Sequence, residues 1–342
     1  MSGTAGRLQT GTKSATPTLR AVASAAGVSI ATASNVLSNR VLLPNGKRRY
    51  SLPTETRVRE RAAEMKYVPN LAARAVRTGH TGLVQVSLSV LHDPWALAMG
   101  RAINLATRNH GLVSTIVADG DWVQMLRIQQ ADCALIDEVS KDQIEDLKTL
   151  ASQGRKLLVV SETLEPSGFS VIRQGIVAGC TLMVDYLAEN YDTIGCIAPA
   201  NDTQPEQSRL RPYEQMLERT KRDKRDEWVR FYQNDVDSAY EQALAILSLE
   251  DRPRALYVTT DFAAQAAIRA ADRLGLRVPE DIAISGVGNT PGAASSDPSL
   301  TTVGADGFFE SVADLVVDLA LGNEQEPKIY DYPWTLHLRD SA

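Results

Sequence analysis

The sequence predicts two architectures in one chain: an all-α helix-turn-helix head, and an α/β body of two parallel, doubly wound subdomains with a cleft between them. Three observations lead there. Residues 18–38 spell out two short helices with apolar stripes and a glycine between them. Residues 1–82 hold thirteen Lys and Arg against three acids, a net charge of +10, whereas the remainder holds 23 bases against 39 acids, or −16. From Leu83 onward, short β-rich runs alternate with helical periodicity, the pattern of parallel sheets covered by helices on both faces.

In the head, Thr18 is placed to cap a first helix in which Leu19, Val22, Ala23 and Ala26 recur at helical spacing. Gly27 should stop that helix, because glycine accepts a left-handed backbone without steric cost. Val28 plugs the turn, and Ser29 caps a second helix whose buried face is Ala33, Val36 and Leu37. The small side chains of Ala23, Ala25, Ala26 and Ala33 allow the two helices to cross closely. Ile30, Ala31, Thr32, Ser34 and Asn35 are left facing outward, as in a helix that enters a DNA groove. An alanine-rich hairpin in a protein core would carry the same stripes. The charge split decides against that reading, since a polyanion attracts this head and repels the acidic body.

The polar loop from Asn39 to Ser51 follows, with a turn at Pro44-Asn45-Gly46. Lys47-Arg48-Arg49 reads either as a phosphate contact or as solubilising charge on an exposed loop. Pro53 to Arg57 opens a third helix with Val58, Ala62 and Met65 on its buried stripe, ended by Tyr67-Val68-Pro69. Asn70 to Arg77 is helix-prone but short, and helices of that length are marginal alone in water. It reads as a linker helix or as a segment that folds on DNA, with Val76 as an apolar minor-groove wedge and Ala73 permitting close approach. The expected division is a disordered arm at 1–17, the head at 18–69, a hinge at 70–79 and the body at 80–342.

In the body, strands are expected at 83–88, 113–118, 132–136, 156–161, 193–198, 229–232, 255–259 and 282–285. Helices are expected at 95–110, 142–152, 175–190, 211–222, 239–249 and 262–275. These units suffice for two sheets, and ligands of such folds bind beyond the carboxyl ends of the strands. Read from the residues alone, Arg209 forms a surface or interlobe salt bridge, Asp261 caps the helix that it precedes, and Trp95, after Asp93-Pro94, packs in a core or an interface.

Other chemistry finds little support. No apolar run approaches the roughly 20 residues of a membrane helix, and the N-terminus lacks the apolar region of an export signal, so a cytoplasmic protein is expected. Cys133, Cys180 and Cys196 are widely spaced and odd in number, which suggests buried free thiols. The four histidines are scattered, so no metal is expected. After Gly286-Val287-Gly288 the third glycine, Gly292, comes one residue late for a dinucleotide loop. No nucleophile or Walker motif is present, so neither an enzyme nor a cofactor is expected.

TLRAVASAAGVSIATASNVLS, PTETR, YVPNLAARAVRTGHTGLV and LRVPEDIAISGVGNTPGAASSDPSLTTV resemble the LacI/GalR family of bacterial transcriptional regulators. The resemblance runs from Thr18 to about Val303. It implies a body like the periplasmic sugar-binding proteins, a hinge helix that orders on the operator, and dimers or tetramers on near-palindromic DNA. The residues it places against DNA are Thr18, Ser29, Ile30, Ala31, Thr32, Ser34 and Asn35, then Asn70, Ala73 and Val76. Asn35 stands where many members carry arginine, which implies a preference for adenine over guanine at that operator position. Val76 stands where leucine is usual. Trp95, Arg209, Asp261 and Asn289 fall at ligand-binding positions. Sugar-holding residues elsewhere are replaced, by Gly175-Ile176 and by Gly288, so a sugar effector is not carried over.

The function expected is a sequence-specific DNA-binding regulator, a repressor, that binds its operator as a homodimer and is modulated by a small molecule in the interlobe cleft. A regulator with a degenerate pocket and no effector is the second reading. A solute-binding protein would explain the body but gives the basic head no role.

Overall fold

The computed structural model describes residues 17–38, 41, 47–68, 75, 79–89, 93–118, 120–200, 208–233, 235–323 and 326–342. The chain divides into two compact units, Met1–Gly79 and His80–Ala342. Residues 1–16 of the arm expected at 1–17, and the hinge positions Asn70, Ala73 and Val76, lie outside the described residues.

The first unit is built on three helices, α1 (Leu19–Ala25), α2 (Ile30–Leu37) and α3 (Leu52–Glu64). Thr18, Ser29 and Ser51 cap them, each accepting a backbone N–H from three residues ahead. Gly27 sits at φ +63, the left-handed turn that ends α1. Val22, Ala23, Ala26, Ala33, Val36, Val58 and Ala62 form the core. Ala25 is exposed and takes no part in the helix crossing. Tyr50, written in the sequence as the end of a basic loop, is buried in this core just before the α3 cap. Met65 stands at the C-cap of α3 and packs, partly buried, against the same core as Val58 and Ala62.

The second unit holds two parallel sheets. The first runs in the order β11-β5-β4-β3-β1-β2, from β1 (Leu83–Leu88), β2 (Val113–Ala118), β3 (Cys133–Ile136), β4 (Leu157–Val160), β5 (Ser170–Arg173) and β11 (Ile329–Asp331). The second runs β7-β6-β8-β9, from β6 (Ile194–Pro199), β7 (Val229–Tyr232), β8 (Ala255–Val258) and β9 (Ala283–Ser285). Their covering helices are α4 (Pro94–Asn109), α5 (Trp122–Ile128), α6 (Ile144–Ser152), α7 (Ile176–Asn190), α8 (Arg211–Thr220), α9 (Val236–Leu247), α10 (Asp261–Arg273) and α11 (Phe308–Leu321).

Four features depart from the sequence expectations. The tract after Ala118, where no element is expected, contains α5, capped by the Asp121 carboxylate accepting the Gln124 N–H at 2.9 Å and anchored by buried Trp122, Val123 and Leu126. The helix expected from Asp142 opens with a 3-10 turn at Lys141–Gln143. No element was assigned beyond Ser285, yet α11 packs a nearly all-apolar face into the core of the first sheet. The pairing is not parallel throughout, because β10 (Thr302–Gly304) and β12 (Thr335–His337) form an antiparallel ribbon.

The chain therefore crosses between the lobes three times: from β5 into α7, from β10 into α11, and from β11 into β12. At the third crossing Trp334 lies so close to α7 that a Cβ on Gly179 would sit 2.5 Å from its own Cβ. Among the described residues no helix is long and apolar enough to cross a membrane.

Candidate DNA-reading head and interlobe cavity

The second helix of the head is fixed at both ends and along one side. The Ser29 hydroxyl accepts the Thr32 N–H at 3.0 Å and meets the Thr32 hydroxyl at 2.9 Å, so the two hydroxyls stand together at the helix N-terminus. Ala33 and Val36 are buried, Ile30 is 43% exposed and Ala31 is exposed. Thr32, Ser34 and Asn35 are half-buried rather than fully outward. Arg57 donates to the Ala26 carbonyl at 2.8 Å and ties α3 to the end of α1. Part of the positive charge is internally matched: Glu55 pairs with Arg48 at 2.8 Å and with Arg59 at 2.9 Å. Exposed pairs of this kind hold little energy and open readily to a phosphate.

In the body, the strand order reverses beside β1 in the first sheet and beside β6 in the second, because each sheet grows to both sides of its first strand. Such reversal points leave a crevice at the strand carboxyl ends. A cavity of about 400 Å³ lies there. One wall comes from the ends of β1, β3 and β4: Ser89, Asp137, Glu138 and Glu162. The other comes from the second lobe: Pro199, Ser208, Arg209, Phe231 and Thr260.

Asp137 accepts the Ser89 N–H at 2.8 Å and the Ser89 hydroxyl at 3.1 Å. Burial pushes its carboxyl up to about 6, and the Ser89 bonds pull against that rise. Glu162 accepts the N–H groups of Gln174 and Gly175 at 2.9 and 3.0 Å, at the start of α7. Arg209 donates to the Thr259 carbonyl at 2.9 Å, and its guanidinium lies 5.5 Å over the Trp334 ring. The Tyr232 hydroxyl and the Thr260 hydroxyl are 2.9 Å apart.

Of the four ligand residues expected from the sequence, only Arg209 lines this cavity. Asp261 is 2% exposed and is committed inside the second lobe. Its carboxylate accepts the Thr290 N–H at 2.6 Å, the Thr290 hydroxyl at 2.8 Å and the Thr302 hydroxyl at 2.6 Å. Nor does it cap the helix, since Thr260 holds that position and Asp261 is the first helical residue. Burial raises its carboxyl, and the three donors oppose the rise. Asn289, at φ +45, accepts from Arg339 at 2.7 Å and faces the His337 ring at 3.1 Å, so it fastens the β10–β12 ribbon instead. Trp95 packs against Phe308 and Phe309, each ring 6.1 Å away.

The residues missed are Asp137, Glu138, Glu162 and Phe231. Each stands at or just after the end of a strand that was legible in the sequence, so the signal was position rather than motif. Cys133, Cys180 and Cys196 are buried free thiols, and burial raises the Cys133 thiol to about 12. Among the described residues no group of His, Cys, Asp and Glu is placed to hold a metal ion.

Two family models cover most of the chain. Residues 18–70 match the model described as bacterial regulatory proteins, lacI family, and residues 184–342 match a periplasmic binding protein-like domain. The chain belongs to the LacI/GalR family of bacterial transcriptional regulators. It is accordingly a DNA-binding transcriptional regulator with a periplasmic-binding-protein-like body. Similar relatives include the HTH-type transcriptional repressor PurR of Aliivibrio fischeri, 28% identical over 298 residues, 84% of this chain and 86% of the relative. The HTH-type transcriptional regulator DegA of Bacillus subtilis is 26% identical over 297 residues, again 84% and 86%. A similar fold is that of a lac repressor dimer bound to operator and the anti-inducer ONPF, with TM-score 0.69, 23% identity, and coverage of 95% of this chain and 99% of that one.

Proposed function

We propose that this regulator is a repressor that binds a near-palindromic operator as a homodimer and is switched by a small molecule held in the interlobe cavity, in the cytoplasm and without a cofactor. The observation that carries the reading is the cavity at two strand-order reversals, with polar groups from both lobes facing one space. A ligand touching Asp137 on one lobe and Arg209 on the other binds better when the lobes are close, and that difference in affinity is what shifts a conformational equilibrium. Repression is supported by the names of the relatives, and dimeric operator binding by the lac repressor complex.

The head reads the major groove with the α2 face, Ile30, Ala31, Thr32, Ser34 and Asn35, while Thr18 and Ser29 lie near phosphates. Asn70, Ala73 and Val76 belong to a hinge that inserts into the minor groove at the centre of the site. Pairing uses the α4–β2 side of the first lobe. There Leu97 is 57%, Leu105 62% and Ile116 45% exposed, beside an edge strand. Gly100 lets Ile116 lie against α4, so these side chains form one patch.

Fluorescence anisotropy with an inverted-repeat duplex and a random duplex tests the reading. Preference for the repeat is expected, with log affinity falling against log salt by about 0.9 per phosphate neutralised. A flat salt response or no preference overturns it. Arg209→Ala should abolish any effector response while operator binding persists; a surviving response removes Arg209 from the ligand site.

A further inference from the structure

We propose that the cavity takes a linear aliphatic amine, protonated at neutral pH, that runs from the cleft between the sheets into an adjoining pocket of the first lobe. The inference rests on the reading of the cavity as the effector site and names the chemistry of the effector.

Charge is the first argument. Asp137, Glu138 and Glu162 face the cavity, and Arg209 is the one cation among its described lining residues. Arg209 is already engaged with the Thr259 carbonyl and the Trp334 ring, and among the described residues no ion pair forms to any of the three acids. A neutral polyol leaves the acidic wall uncompensated, and an anion meets three carboxylates for one guanidinium. An ammonium group supplies the missing charge and up to three donors to groups that only accept.

Shape is the second argument. A neighbouring cavity of about 360 Å³, lined by Ser87, Gly120, Trp122 and Gln143, shares Ser89, Asp137 and Glu138 with the first. Asp137 and Glu138 therefore stand at the junction of two spaces, which fits an extended chain better than a compact ring. At the other end, Phe231 is 48% exposed at the end of its strand and offers an aromatic face to a cation.

The test uses the DNA-free full-length protein, by isothermal titration calorimetry and thermal melting at fixed ionic strength. The probes are putrescine and spermidine. The comparators are butanediol, the neutral isostere of putrescine, and succinate, its anionic counterpart. Saturable binding of one amine per chain is expected, tighter for spermidine, with neither comparator binding. Glu138→Gln, at an exposed side chain that the fold does not need, and Asp137→Asn should each weaken spermidine about tenfold, the loss of one charge-assisted bond. Phe231→Ala should weaken it severalfold. Binding that does not saturate, or that both acid variants leave unchanged, marks the amine as a surface counterion and overturns the proposal. Equal binding of butanediol overturns it too. If no amine binds while the inverted repeat is still preferred over random duplex, the amine chemistry fails and the regulator reading stands; loss of that preference defeats the reading itself.

Discussion

Replacing Asp137 with Asn should stabilise the unliganded protein. In the fold its carboxyl is raised to about 6 from the ordinary 3.8, chiefly by burial. At 1.36 kcal/mol per pKa unit, keeping it ionised costs the fold about 3 kcal/mol. The folded value lies above the unfolded one, so the cost is complete above about pH 7, shrinks as pH falls through 6, and is gone below about pH 4. Asparagine is neutral throughout and still offers one oxygen to the Ser89 N–H. The pull of the Ser89 bonds is already contained in the rise to about 6, so nothing further is subtracted for them. The gain is about 3 kcal/mol at pH 8, or roughly 6–12 °C in Tm for a body of this size. Scanning calorimetry of both proteins at pH 8 and pH 5 reads it, and the gap should narrow at the lower pH. An Asn variant that melts lower at pH 8, or a gap independent of pH, would show that burial does not strain this carboxylate.

Three further outcomes follow from the contacts. Ser29→Ala removes the cap of α2 and should cost the head about 1 kcal/mol, seen in its thermal unfolding and as weaker operator binding; unchanged melting would mean the cap is idle. Asp261→Ala strands one buried N–H and two threonine hydroxyls at about 1–3 kcal/mol each, so urea unfolding should show a body near the edge of stability, and a loss under 1 kcal/mol would refute its place as a hub. Ile116→Glu with Leu105→Glu should shift sedimentation from dimer toward monomer at micromolar concentration; an unshifted dimer puts the pairing face elsewhere.

The head was largely legible because its signals are local. A cap, a left-handed glycine and an apolar stripe act within one or two turns, so Thr18, Gly27 and Ser29 can be placed from neighbouring residues alone. Tyr50 was not, because what buries it is the meeting of three helices rather than its own polar surroundings. In the body, α5 escaped because its seven residues hold too few turns to show a period, and its Asp121 cap is short-range evidence without a long stripe behind it. The final helix escaped for the opposite reason: FFESVADLVVDLAL is apolar on most sides, and only the core between it and α4 explains why.

The sequence by itself determined the basic head, its three helices, and the alternation that makes two parallel sheets. Charge, caps and periodicity are properties of adjacent residues, and they survive without knowing where the chain goes next. Tertiary structure alone decided which side chains share the cavity. Asp261 and Arg209 look equally available in the sequence, yet two threonines, Thr290 and Thr302, arrive from later segments and enclose Asp261, whereas Arg209 reaches the cleft. Asp137 and Glu162 meet because β3 and β4 are neighbours whose ends open on the same crevice, and that adjacency is set by sheet order, which no local pattern encodes.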